Sequence, residues 1–165
     1  MNTIRGFTLI ELLITVTVLG VVLGLATPAF NNYLQSSQLT SLTNELVAAT
    51  HLARSEAIRL NQQVSLCRAA TSSSAACAGG GNAQWQHWIV SGGAISRRGS
   101  PEGVANMNVR STFADDRIRF NPDGQPAAGA TLVVCAAGLG SDNRRVITVG
   151  PGNRVSVDRA TGNCP

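Results

Sequence analysis

Residues Phe7 to Ala26 make a run of 20 residues that is apolar except for Thr8, Glu11, Thr15 and Thr17. As a helix this run spans about 30 Å, one bilayer hydrocarbon core. A carboxylate at that depth costs roughly 3 kcal/mol on insertion scales, so such a group usually has a dedicated partner. Glu11 is therefore the residue that most constrains how the chain is buried and what it does. A cleaved secretory signal has a shorter core followed by small residues, whereas here the run is long and no Ala-x-Ala follows it. The leader carries one base, Arg5, and no other base occurs before Arg54, a bias that points the N-terminus to the cytoplasm.

Within the run, Gly20 and Gly24 form a Gly-x-x-x-Gly, a spacing that permits close helix approach. Pro28 follows, where a proline kinks a helix or interrupts its bonding. Beyond it, Leu39, Leu42, Leu46, Ala49, Ala53, Ala57 and Leu60 recur at helical spacing, with Gln38, Ser41, Asn44, Glu45 and Arg59 on other faces. One long helix is expected from about Phe7 to about Leu60, kinked at Pro28, with its second half packed on a sheet.

The period changes after Asn61. Short β-prone runs occur at Val64–Cys67, Trp85–Val90, Arg117–Phe120, Thr131–Ala136, Arg145–Val149 and Arg154–Val157, separated by Gly, Asn, Pro and Asp. Asn121-Pro122-Asp123-Gly124 is a strong turn signal. One helix followed by such strands describes an antiparallel sheet wrapped on that helix, an α+β architecture. Residues 68–83 and 91–112 read as two long loops.

The chain has 165 residues, and once the anchor is set aside the remainder is small enough to need covalent staples. Its four cysteines, Cys67, Cys77, Cys135 and Cys164, are widely spaced and lack close His partners, which argues for disulfides in an oxidising compartment rather than zinc. Three pairings exist. Cys67–Cys77 with Cys135–Cys164 is preferred, because the first pair brackets a Ser/Ala loop and the second ties back the C-terminus. All 13 basic residues are Arg, and their excess over 9 acids is too small to announce a nucleic-acid binder.

No catalytic constellation, metal site or cofactor motif emerges. His51 reads as a helix-face residue and His87 as a solvent-side strand residue, neither with ligands at metal-binding spacing. Gly79-Gly80-Gly81 lacks the Lys and Ser/Thr of a phosphate loop. Asp115-Asp116, beside Arg117 and Arg119, reads as a solvated surface cluster. Arg144, Arg145, Arg154 and Arg159 gather in the last 22 residues against Asp142 and Asp158, a set that could grip successive phosphates.

Gly6-Phe7-Thr8-Leu9-Ile10-Glu11-Leu12-Leu13 resembles the leader junction of type IV pilins and type II secretion pseudopilins. The resemblance implies a leader at 1–6, cleavage between Gly6 and Phe7 by a prepilin peptidase, and N-methylation of Phe7. It implies a retained hydrophobic helix at 7–29 and a periplasmic domain at 30–165, on a single-pass inner-membrane protein. Glu11 would then meet the terminal ammonium of a neighbouring subunit, fixing axial register. Related pilins also carry a proline near position 28 and loosen there on assembly.

Arg54-Ser55-Glu56-Ala57 is similar to the Ala-Arg-Ser-Glu-Ala signature of the GspH/FimT group of minor pilins. That group implies a type IV pilin-like fold with two disulfides, no enzymatic activity and no cofactor. Implied partners are other minor pilins, the major pilin, the inner-membrane assembly platform and membrane lipid. The expected role is a structural minor pilin in a priming or tip complex. Two alternatives share the features: an H-type pseudopilin of a type II secretion system, and a DNA-binding minor pilin. Members that resemble DNA receptors carry a C-terminal Gly-Arg-x-Arg, but this chain has Gly152-Asn153-Arg154-Val155-Ser156, which argues against DNA as a partner.

Overall fold

The computed structural model describes residues 6–81, 83–100, 107–113 and 115–164, with side chains at all of these except 25–29, 95, 96 and 153. Among the described residues one α-helix, α1 (Leu9–Leu60), is followed by eight strands: β1 (Val64–Ala69), β2 (His87–Gly92), β3 (Ala94–Gly99), β4 (Met107–Ser111), β5 (Arg117–Phe120), β6 (Ala130–Ala136), β7 (Arg144–Gly150) and β8 (Arg154–Ala160), with a 3-10 turn (Pro151–Asn153) between the last two. The chain divides into two compact units between Leu34 and Gln35, and α1 contributes to both.

Both ends of α1 are set by local chemistry. At the start, the Thr8 hydroxyl accepts the Glu11 N–H at 3.3 Å, satisfying one of the donors a first turn leaves open. At the finish, Asn61 takes a left-handed conformation (φ 50). Gln62 N–H then donates to the Ala57 carbonyl and Asn61 N–H to that of Ile58, each at 3.3 Å, a Schellman closure with asparagine in the usual glycine position. Between them, Leu39, Leu42, Leu46, Ala49, Ala53 and Ala57 are buried as their spacing predicts. Each fully buried leucine contributes roughly 2 kcal/mol.

The strands form two antiparallel sheets rather than the single one expected. Sheet A has the order β3-β2-β1-β5 and sheet B the order β4-β6-β7-β8. Register puts Leu66 beside Val90 and Ile118 in sheet A, and Leu132 beside Ile147 in sheet B. These residues and the helix stripe join in one hydrophobic core. The expected loop 91–112 contains β3 and β4. Segment 68–83 does form an irregular connection after β1, but it is anchored: Ala78 N–H donates to the Arg68 carbonyl at 2.8 Å, and Arg98 Nη1 donates to the carbonyls of Ser72 and Ser74. Beneath it, on the outer face of sheet A, Cys67, Ala69 and Ile89 form a second small core with Cys77.

His87 is buried in β2, which corrects its reading as a solvent-side residue. Asp116 is corrected too. It is fully buried (0% exposed), and its carboxylate takes Arg68 Nε at 3.2 Å, the Ser111 hydroxyl, and Trp85 Nε1 at 3.5 Å. Asp115 alone matches the surface reading, pairing with Arg117 and Arg119. The disulfides join Cys67 to Cys77 and Cys135 to Cys164, the pairing preferred from the sequence.

Candidate assembly site and arginine cluster

The N-terminal half of α1 presents its apolar side chains to the surroundings. Phe7 is 85% exposed, and Leu9, Ile10, Leu12, Leu13, Ile14, Val16, Val18, Leu19, Val21, Val22 and Leu23 are all exposed in the isolated chain. An apolar surface of this extent marks a contact site. Its hydroxyls are already satisfied. Thr15 Oγ1 donates to the Leu12 carbonyl at 2.9 Å, and Thr17 Oγ1 to those of Leu13 and Ile14 at 3.0 and 2.8 Å. These back-bonds remove the polar cost of both threonines.

Glu11 differs. Its N–H is held by Thr8, but among the described residues no side chain reaches its carboxylate. Thr8-Leu9-Ile10-Glu11 has the spacing of a capping box, a signal the sequence reading passed over. A first-turn acid also suits the positive end of the helix dipole. The site thus consists of one anionic group, oriented by its own helix, on an otherwise apolar surface. Gly20 and Gly24 lie on this helix with open space where a Cβ would stand. Pro28 belongs to the residues whose side chains lie outside the description, and so does the kink expected there; α1 is one helix across it. Among the described residues, no helix is long and apolar enough to cross a membrane, and no group of His, Cys, Asp or Glu is arranged to hold a metal.

Within the domain the four arginines separate into distinct roles. Arg145 is buried, with Nη1 3.0 Å from Asp142 Oδ1 and donating to the carbonyls of Asp142 and Arg144. It holds the β6–β7 turn and has no face to offer a ligand. Arg159, its cross-strand neighbour, is largely exposed and reaches the same Asp142 at 3.5 Å. Arg144 is half-buried and runs beside Gly162 of the C-terminal tail, while Arg154 is exposed at the opposite end of β8. The structure therefore groups Arg144, Arg145 and Arg159 and leaves Arg154 apart.

The tail itself is fixed. Asn143 donates through Nδ2 to the Gly162 carbonyl at 2.8 Å and accepts the Gly162 N–H at 3.1 Å. Cys164 is bonded to Cys135. Between tail and turn lies an open cavity of about 570 Å³, lined by Ala137, Leu139 and Asn143 on one side and Thr161, Gly162 and Asn163 on the other.

A long amphipathic helix seated on antiparallel sheets, with an exposed apolar N-terminal half and a first-turn acid, defines a pilin-type subunit. The model of the family described as type II transport protein GspH matches residues 42–153, and that of the prokaryotic N-terminal methylation motif matches residues 1–27. The chain belongs to the GspH family of type IV minor pilins and pseudopilins. These proteins are structural and not enzymatic.

Two crystal forms of the type IV minor pilin FimU from Pseudomonas aeruginosa share the fold. One gives a TM-score of 0.58 at 20% identity over 74% of this chain and 89% of that one. The other gives 0.54 at 19% identity over 72% and 91%. The type IV major alpha-pilin and fimbrial protein Q of Moraxella bovis are each 44% identical over 48 residues, or 29% of this chain. The match spans less than a third of those pilins, 30% and 31% of their lengths.

Proposed function

We propose that this protein is a structural minor pilin that joins a small priming or tip complex and helps to start a type IV pilus. The observation that carries the reading is the Glu11 carboxylate, which has no partner among the described residues and stands on an exposed apolar helix. A free α-amino group on a neighbouring subunit supplies the charge it lacks. Pairing in an apolar bundle offsets part of the burial cost and sets one axial register. Cleavage between Gly6 and Phe7 creates that amine, and N-methylation of Phe7 keeps its charge. The match to the methylation motif supports this processing. Residues 7–29 anchor the chain in the inner membrane until assembly, Gly20 and Gly24 admit close helix contact, and Pro28 gives the helix a place to yield. Prepilin peptidase, the assembly platform, the major pilin and other minor pilins are the partners.

The test couples processing to incorporation. Mass spectrometry of membrane-extracted protein is expected to find a methylated Phe7 terminus. Glu11→Ala is expected to leave processing intact and to reduce co-purification with the other pilins. An unprocessed chain, or normal co-purification of the variant, refutes the reading.

A second reading, an H-type pseudopilin of a type II secretion machine, is supported by the description of the matching family. Complementation of a pilus-assembly defect against a secretion defect separates the two. DNA binding loses support from Arg145, which is committed to Asp142 and backbone carbonyls.

A further inference from the structure

We infer that the outer edge of β8 is a self-pairing surface. Its occupant is β8 of a second copy of this chain, laid antiparallel about a two-fold axis at Ser156. The inference goes beyond the role proposed above and uses only the domain, not Glu11 or the apolar helix.

Four strands end the two sheets, β3 and β5 in sheet A and β4 and β8 in sheet B. Three of these edges are interrupted or covered. β3 pairs with β2 through a shifted register between Val90 and Ser91. Along β5, Ala127 N–H donates to the Arg119 carbonyl at 2.9 Å and Pro126 bridges to Phe120. Beside β4, Trp85 N–H donates to the Val109 carbonyl at 2.8 Å. β8 differs. It pairs with β7 along its whole length without a shift and contains no proline. Among the described residues, no strand or backbone hydrogen bond lies on its other side. Such an edge offers a row of open N–H and C=O groups to another strand.

The side chains choose the occupant. Val155 and Val157 stand opposite Val149 and Ile147, on the core face of sheet B, yet Val157 is 43% exposed. On the other face Arg154 and Asp158 are exposed, and among the described residues neither has an ion-pair partner. Residues opposite one another in an antiparallel pair share a face, so a copy that continues the core face sets even positions against even ones. Centred on Ser156, this pairing sets Arg154 against Asp158 twice and Val155 against Val157 twice. Centred on Val157, it leaves Arg154 opposite Ala160; centred on Asp158, it sets carboxylate against carboxylate. Opposite charges face to face favour a register and like charges oppose it. The strand is thus complementary in charge to its own reverse, and the contact is isologous, closing at two copies.

The test uses the full chain in detergent. The chain has no free cysteine, so Ser156→Cys adds a single thiol on the two-fold axis. Opposite residues of an antiparallel pair stand about 4.5–5.5 Å apart, within reach of a disulfide. Mild oxidation is expected to give a covalent dimer on a non-reducing gel. Adding Asp158→Arg sets arginine against arginine twice and is expected to cut the yield about tenfold. Adding Arg154→Asp to that chain is expected to restore it, which separates charge pairing from any loss of folding. Absence of the dimer overturns the pairing. So does a yield that ignores the charge reversal, the result that association through the apolar helix alone gives, and so does a failure of the double reversal to restore the link.

Discussion

Arg68 and Asp116 form an ion pair at 3.2 Å whose carboxylate is wholly out of solvent, and the pair ties the end of β1 to the segment that opens β5. Ser111 of β4 and the Trp85 indole use the same carboxylate, so one acid connects both sheets and the connection before β2.

Removing that acid leaves a mostly buried guanidinium without its counter-charge, while Arg68 keeps its bond to the Gly79 carbonyl. Asp116→Ala is expected to destabilise the domain by about 3–5 kcal/mol. Denaturant unfolding checks this. A change under about 1 kcal/mol would show that the network is incidental to stability.

The buried helix stripe gives a second expectation. Leu46 has no exposed surface and faces both sheets through the common core. Leu46→Ala should cost about 2–5 kcal/mol, whereas Ala48→Ser, on the exposed face of the same turn, should stay within about 0.5 kcal/mol. Equal effects would contradict the seating of α1 described above.

Arg145 and Arg159 share Asp142 but differ in burial, so they should respond differently. Arg145→Ala removes bonds to two carbonyls and a carboxylate, with an expected loss of about 2–3 kcal/mol. Arg159→Ala, a largely exposed residue, should change stability by less than about 0.5 kcal/mol. Thermal melts of the two variants decide it, and the reverse order would overturn the assignment of Arg145 as a structural residue.

The disulfides close loops of different length, with sequence separations of 10 and 29. Loop-closure entropy predicts losses of about 3 kcal/mol for Cys67→Ser/Cys77→Ser and about 4 kcal/mol for Cys135→Ser/Cys164→Ser. The second pair should also speed hydrogen exchange at Gly162, whose N–H is held by Asn143 at 3.1 Å. Unchanged exchange there would mean that Asn143 alone fixes the tail.

Periodicity read from the chain located α1 and six strands, because spacing such as Leu39-Leu42-Leu46 is a local signal. It failed where the cause is distant. β3 (Ala-Ile-Ser-Arg-Arg-Gly) has no convincing alternation, and its strand state depends on pairing with β2, where a Cβ on Gly99 would run into the Trp88 ring. β4 does alternate, with Met107, Val109 and Ser111 buried, but it is short and follows a stretch that includes Ser100, Pro101 and Gly103. The division into two sheets depends on which strands pair, and composition is silent on pairing. Asp116 reads as a surface acid beside Asp115 until Arg68, 48 positions earlier, is brought to it. On the N-terminal half of α1 the apolar run and the place of Glu11 in the first turn were legible, while their part in assembly stays the proposal made above. The Thr8 hydroxyl that orients Glu11's turn was overlooked, although its spacing was in plain view. The arginine cluster was legible only as a group, since burial separates the structural Arg145 from the exposed Arg159.

The Ser/Ala segment stapled over sheet A by Cys67–Cys77 gives that sheet a second roof. A neighbour approaching from this side meets the hydroxyls of Thr71, Ser73 and Ser74 before it meets any strand. The outer skin can therefore change in sequence while the slab beneath keeps its shape, because the staple and not the loop's own side chains holds the roof in place.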